Sequence, residues 1–312
     1  ADLRQRPLRP VKVRWNRFCC LTYSPEMDFY AAFYYIPPMQ CWMLLGGKDP
    51  LEANSWKRLC DLPKQESPFL FLDQRPRWFG RYLCFGDRQS ATILTMNPQG
   101  VERVQRFPLP KAQHPGRFAC DGLGRILLAH GEETYCFENG SLSPLGFHIL
   151  SGDGFNGSIP VPGTGRLVMC GFSGRELVAR LLELDVDTRR CRTTRMQNVD
   201  PWSNLLPFGD DWVLIKGTCD SMRLDFARLW NRTTSEVLRI RPGMFGSEKL
   251  EHIGRLSDGC VVLTTLRSHV GQVVHFPADF WNFLRSASRP QTLEPMQPCE
   301  ALYPDIPLKL PK

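Results

Sequence analysis

What this sequence lacks narrows it more than what it contains. Its 312 residues hold no Cys-x-x-Cys and no His-Glu-x-x-His, the spacings that most often grip zinc. Cys19 and Cys20 are adjacent and would point to opposite faces of a strand, a poor geometry for joint ligation. His269 and His275 could share a strand face but have no obvious third ligand, so no metal is expected. The glycine-rich SGDGFNGS (151–158) is followed by neither Lys-Ser/Thr nor a helical pattern. That excludes a Walker-type phosphate loop and leaves a connection between strands. Ser173 has glycines at 171 and 174, which misses the Gly-x-Ser-x-Gly spacing of a nucleophile elbow. The pairs Asp210–Asp211 and Glu132–Glu133 sit at turns and read as solvated surface. No catalytic residue and no cofactor is expected from these motifs. A site assembled from separate loops would escape such a search, which keeps a hydrolase or lyase as the alternative. Small-molecule chemistry is not what the motifs point to.

Unbroken hydrophobic length is also missing. FYAAFYYIPPMQCWMLLGG (29–47) is long enough to span a membrane, but Pro37-Pro38 would break a helix at its middle and Gln40 follows. Two aromatic-rich strands joined at the prolines account for it better, and no membrane span is expected. Nor are the 12 cysteines dense enough for a disulfide scaffold. Cys84, Cys170 and Cys260 lie inside apolar runs, where a free thiol packs as a small hydrophobe. This favours an intracellular, reducing compartment without distinguishing cytoplasm, nucleus or mitochondrion. Three Asn-x-Ser/Thr triplets, at Asn139, Asn156 and Asn231, favour the opposite, a secreted glycan- or receptor-binding protein.

Acidic residues are nearly absent from one place. Arg4, Arg6, Arg9, Lys12, Arg14 and Arg17 face a single acid, Asp2, within the first 17 residues, so most of the formal +7 lies in this arm. Such an arm can clamp phosphates or an acidic protein surface. It is Arg-rich and acid-poor as transit peptides are, and starts without Met, so a processed chain is one expectation. No apolar run follows it directly, so a secretory signal is not.

What the chain does have is repetition. Apolar runs closed by small or polar residues recur as GRYLCFG at Gly80, GRILLAHG at Gly124, GRLVMCGF at Gly165, DDWVLIKG at Asp210 and SDGCVVLTT at Ser257. Measured at Tyr82, Ile126, Leu167, Trp212 and Cys260 or Val261, the steps are 44, 41, 45 and about 48 residues. CWMLLGG at Cys41 precedes Tyr82 by 41. After each comes a hairpin: TILTMNPQGVERVQRF (92–107), TYCFENGSLSPLGF with its Asn139-Gly140 turn, ARLLELDVDTRRCRTTRM and ARLWNRTTSEVLRI. GQVVHFPADFWNFL is the least regular copy. A period in the forties with three to four strands is the pattern of a propeller blade. The apolar strand would be buried on both faces, hence its continuous pattern; the outer hairpin meets water, hence its mixed polarity. The expected fold is all-β, a β-propeller of six or seven four-stranded blades over 18–288, six being favoured. A β-sandwich pair or two β-rich domains are the competing arrangements. The best helix candidate is DFWNFLRSAS (279–288).

Two units resemble known repeats. Gly46-Gly47 closes an apolar strand as in the kelch double glycine, and Trp56, Leu59, Leu62 and Pro63 match its trailing W-x-x-L-x-x-L-P pattern. LWNRTTSEVLRI (229–240) resembles the strand-turn-strand of F-box-associated propellers. Each likeness covers about one unit of six, and no Trp-Asp dipeptide of WD repeats occurs. Nor is there a Ser-x-Asp-x-Gly-x-Thr-Trp box of sialidase-type propellers. What the resemblance implies is a divergent kelch-like propeller with a protein-binding role.

Flanking the repeats are the basic arm (1–17) and a proline-rich segment (289–312). The latter's prolines forbid helix and inner strand but favour extended chain, and its apolar side chains suit a strap lying on a surface, its own or a neighbour's. The expectation is a non-catalytic scaffold or interaction subunit of a larger protein or ribonucleoprotein assembly. Its candidate partner-binding residues are Arg4, Arg6, Arg9, Lys12, Arg14, Trp15 and Arg17 in the arm, with Leu302, Tyr303 and Ile306 in the strap. Protein partners are expected, and RNA through the arm.

Overall fold

The computed structural model describes residues 10–11, 18–24, 26–36, 41–48, 56–61, 76–113, 115–146, 158–173, 176–195, 204–208, 211–216, 228–239, 249–255, 261–267, 270–276, 289–292 and 297–298. Every regular element among them is a strand. In chain order, β1 is Pro10–Val11. Sheet I holds β2 (Phe18–Ser24), β3 (Phe29–Ile36), β4 (Cys41–Gly47) and β5 (Lys57–Asp61). Sheet II holds β6 (Arg77–Phe79), β7 (Tyr82–Gly86), β8 (Ser90–Asn97) and β9 (Gly100–Pro108). Sheet III holds β10 (Arg117–Cys120), β11 (Ile126–His130), β12 (Glu133–Glu138) and β13 (Ser141–Pro144). Sheet IV is β14 (Ile159–Val161), β15 (Arg166–Ser173), β16 (Glu176–Asp185) and β17 (Arg190–Arg195). Sheet V is β18 (Asn204–Phe208), β19 (Trp212–Lys216), β20 (Arg228–Asn231) and β21 (Glu236–Arg239). Sheet VI is β22 (Lys249–Arg255), β23 (Val261–Arg267) and β24 (Val270–Phe276). Two strands follow, β25 (Arg289–Thr292) and β26 (Gln297–Pro298).

Each sheet is an antiparallel meander, with every strand paired to the next. Three strands taken from the chain ends extend three of them. β1 pairs with β24, aligning Pro10 with Val274 and Val11 with Val273. β25 pairs with β21 and β26 with β17, making Sheets V and IV five-stranded. The chain forms two compact units: Ala1–Pro108 with Gly243–Ser286, carrying Sheets I, II and VI, and Leu109–Pro242 with Ala287–Lys312, carrying Sheets III, IV and V.

The repeated apolar runs are strands, as their composition requires, but their place corrects the expected phase. The runs at Tyr82, Ile126, Leu167, Trp212 and Val261 are each the second strand of a sheet, preceded by a strand with a weaker apolar signal. CWMLLGG is instead the third strand of Sheet I, equivalent to β8 rather than β7. The matching second strand is FYAAFYYI, so the earliest step of 41 linked non-equivalent strands. The two strands do flank the prolines as a hairpin, with Ile36 opposite Cys41. Residues 279–288, the helix candidate, lie outside the described residues.

Turn chemistry sets the hairpins. Asn139 and Gly140 have φ of 51° and 79°, as a two-residue I′ turn requires. Asn97, Asp185 and Asn231 occupy one equivalent position at the end of the third strand. The Oδ1 of each accepts the backbone N–H groups two and three residues on, at 2.9–3.1 Å. That Asx cap starts the turn where it would otherwise have to be enforced by packing. A second bond repeats with it: Met96 N–H donates to Arg81 C=O, Val186 to Gly165 and Arg232 to Asp211, at 2.8–2.9 Å.

Burial explains the apolar pattern. In Sheet IV the side chains of Leu167, Met169, Leu182 and Leu184 join Ala119, Leu127 and Cys136 of Sheet III. The alternate positions Val168 and Leu181, with Ile159, join Leu205, Val213, Ile215, Trp230 and Val237 of Sheet V. Sheet IV is therefore covered on both faces, and its middle strands are apolar where both faces pack, at Leu167, Val168, Met169, Leu181, Leu182 and Leu184. In the other unit, Ala31, Phe33 and Leu44 of Sheet I pack on Leu83, Phe85, Leu94 and Met96 of Sheet II, with the Phe33 and Phe85 rings edge to face at 5.5 Å. The fourth strand of Sheet II differs: Glu102, Arg103, Val104 and Arg106 of β9 are exposed. Leu127→Ala, at a fully buried position, should cost about 2–5 kcal/mol by urea denaturation. Leu123→Ala, at an exposed turn, should stay within about 0.5 kcal/mol.

Candidate functional site

In an antiparallel meander the first and third turns emerge at the same end. In the unit of Sheets III to V, arginines tie this end together. Asp121 opens the β10–β11 turn with its side chain wholly buried. Its Oδ1 accepts the N–H groups of Leu123 (3.0 Å) and Arg125 (2.9 Å), and its Oδ2 accepts Arg125 Nε at 2.6 Å. Arg125 Nη1 then donates to Asp187 Oδ1 in the β16–β17 turn at 2.7 Å. One guanidinium thus links the turns of two sheets. Its pKa is held above the ordinary value, by the Asp187 hydrogen bond most and by Asp121 in addition, against an opposing effect of burial. Arg189 donates to Leu145 C=O at 3.4 Å, and Arg232 Nη1 donates to Pro160 C=O.

The backbones approach closely here. Gly122 N–H donates to Arg166 C=O at 3.1 Å, and Gly163 N–H to Gly122 C=O at 2.9 Å. A Cβ at Gly122 would fall on the Val161 carbonyl, so only glycine fits. Around this link two thiols and a phenol of Sheet III are tuned away from nucleophilic chemistry. Burial pushes the Cys120 thiol up to about 12, with the Asp121 charge and Cys136 adding to it. Burial raises Cys136 as well, and raises Tyr135 with help from Glu133. A reactive thiol needs a shift in the other direction. Among the described residues, no group of three His, Cys, Asp or Glu side chains could hold a metal ion, and no helix is long and apolar enough to cross a membrane.

Several residues singled out in the sequence take different parts. Glu133 is half-buried rather than solvated, because its Oε1 accepts Gly146 N–H at 3.0 Å and Thr134 N–H at 3.2 Å. Glu132 and Asp211 are exposed, and Asp211 accepts the Thr233 hydroxyl at 3.0 Å. Asn231 is buried as a turn cap, while Asn139 is exposed. Ser173 ends β15 rather than a strand-to-helix elbow. Cys84 is a buried free thiol, as its apolar run implies; Cys60, Cys120 and Cys136 are free as well. Arg4, Arg6, Arg9, Lys12, Arg14, Trp15, Arg17, Leu302, Tyr303 and Ile306 lie outside the described residues, as do Asp210, Asn156, His269, Cys260 and 151–157. The Asp121–Arg125–Asp187 link was not legible in the sequence. Asp121-Gly122 reads as a turn, but nothing local pairs Arg125 with a residue 62 positions away.

No protein-family model matches the chain, and no curated protein matches it. Solved structures similar to it include the β-propeller domain of the Trilobed protease from Pyrococcus furiosus, at 11% identity over 84% of this chain and 81% of that one, with a TM-score of 0.47. Kluyveromyces lactis Hsv2 is similar at 12% identity over 80% of this chain and 70% of that one, with a TM-score of 0.45. The β-propeller domain of Myceliophteria thermophila Cps50 (Swd1) is similar at 11% over 85% and 98%, with a TM-score of 0.43.

Arg125→Met should destabilise the fold by about 3–5 kcal/mol, since it strands a buried carboxylate. Asp187→Asn, at an end open to water, should cost under about 1 kcal/mol; paired thermal and urea unfolding would separate the two. For Cys120, burial pushes the folded thiol up to about 12, while the unfolded thiol ionises in the ordinary range near 9. The unfolded chain loses its proton first, so raising pH through this window destabilises the fold. In the folded protein at pH 9, isotope-coded alkylation should leave Cys120 unlabelled long after a model thiol has reacted.

Proposed function

We propose that the six sheets are the blades of one β-propeller and that the protein is a non-catalytic scaffold subunit of a protein or ribonucleoprotein assembly. The observation that most supports the ring is β1. Residues 10–11 complete a sheet whose other strands come from 249–276, which is how a propeller joins the start of its chain to its last blade. Four-stranded antiparallel meanders, with Sheet IV covered on both faces, suit the same architecture.

Support for the scaffold role comes from the described polar chemistry. Buried Asp121 and Asn231 and half-buried Arg125 all serve turns at this end. The turn-bearing end of Sheets III to V becomes a stiff platform whose exposed residues, among them Leu123, Asp187, Thr188 and Arg190, can meet a partner without reorganising. The basic arm supplies the second contact: Arg4, Arg6, Arg9, Lys12, Arg14 and Arg17 bind an anionic surface, RNA phosphate above all, with Trp15 available to stack on a base. The described parts of both end segments, 10–11, 289–292 and 297–298, pair with the chain's own sheets, so the charged residues of the arm outside β1 and the platform carry the partners.

Salt titration of the full chain on a single-stranded RNA oligonucleotide tests the arm. Six phosphate contacts predict a slope of log affinity against log salt near −4 at about −0.7 per contact. Arg4→Gln with Arg6→Gln should flatten it by about 1.4. A slope near zero in the unaltered chain would reject the RNA-binding role. Cross-linking of native complexes that found no neighbour on the arm or on the platform would reject the scaffold reading.

A further inference from the structure

The outer edges of Sheets III, IV and V are treated unequally. β21, the last strand of Sheet V, is covered by β25, and β17, the last strand of Sheet IV, by β26. β13, the last strand of Sheet III, has no neighbour on its outer side among the described residues. The C-terminal segment visits these edges in reverse sheet order, V and then IV. We propose that it continues to Sheet III, where Tyr303-Pro304 pairs with β13 as a third edge strand.

Chain length carries the first part of the argument. Residues 293–296 take the chain from the edge of Sheet V to that of Sheet IV, a step of at most about 17–18 Å at 3.3–3.6 Å per residue. Sheets III and IV pack face to face through an apolar cluster as Sheets IV and V do. The same four-residue crossing after Pro298 uses 299–302 and brings Tyr303 to the next edge.

Residue type carries the second part. Each added strand contains an X-Pro dipeptide, Arg289-Pro290 opposite Arg239 and Leu238, and Gln297-Pro298 opposite Thr193 and Arg192. Proline holds the residue before it extended, and it is tolerated on an edge because its missing N–H can face outward. Tyr303-Pro304 is such a dipeptide at the required distance.

The edge itself carries the third. Glu138 and Ser141 flank the two-residue turn and form a hydrogen-bonded pair. Alternation then turns the Leu142 N–H and C=O outward, returns Ser143 to β12, and leaves Pro144 with only an outward C=O. β13 thus offers a partner one donor and two acceptors. That is a match for a two- or three-residue addition like β26, not for a long strand from another protein. Leu142 is half-buried, which gives Tyr303 an apolar neighbour.

The test is residue-resolved hydrogen exchange on the full chain, on a variant ending at Pro298, and on the full chain carrying Leu302→Pro and Tyr303→Pro. The expected result is a slow Leu142 amide in the full chain that exchanges at least about tenfold faster in both variants. The amides of Leu127 and Leu128 should stay unchanged, which shows that Sheet III remains folded. A Leu142 amide that exchanges fast in the full chain overturns the proposal. So does one equally slow in all three proteins, because something other than the tail then covers β13. Protection that appears only when a binding partner is added also overturns it, since the edge would then be that partner's.

Discussion

Two-sided burial is the constraint on which the rest depends. A strand in the middle of a sheet covered on one face can alternate apolar and polar residues; one covered on both faces cannot. Sheet IV shows the consequence, with Leu167 and Met169 turned to one neighbour and Val168 to the other. Each fully buried Leu or Met is worth about 1.5–3 kcal/mol. No local propensity in a five-residue strand approaches that, so packing decides where the chain is apolar. The fourth strand of Sheet II escapes the constraint and carries the exposed Glu102, Arg103 and Arg106.

Covering both faces leaves the turn end as the place where polar groups must be settled. A buried carboxylate such as Asp121 is tolerated only because two backbone N–H groups and a guanidinium saturate it. The same guanidinium reaches Asp187, and the close approach of Gly122 to Val161 leaves little freedom between the two turns. Rigidity at this end is therefore a by-product of burying charge.

The remaining exposed backbone lies along sheet edges, which invite unwanted pairing. Here the chain's own extremities answer the problem. β1 covers β24, and β25 and β26 cover β21 and β17. Proline, which would ruin an inner strand, is what suits these additions, since it extends the chain and leaves no outward donor to pair again. One segment thus combines a composition typical of linkers with the work of edge strands.

Much of this was legible in the residues themselves. The forty-odd-residue spacing of apolar runs, the Asn139-Gly140 turn and the hairpin around Pro37-Pro38 followed from side-chain size, conformational freedom and the geometry of proline, all of which act within a few positions. The phase of the repeat did not. First strands such as Arg77–Phe79 are short and half-buried, so their apolar signal is weak, and CWMLLGG imitates a second strand although it is a third. Only the folded chain could reveal that Arg125 joins Asp121 to Asp187, that Glu133 clamps the loop at Gly146, and that Gln297-Pro298 finds β17. These are contacts between residues distant in sequence, and their strength comes from excluding water, a property of packed sheets rather than of any one stretch of sequence.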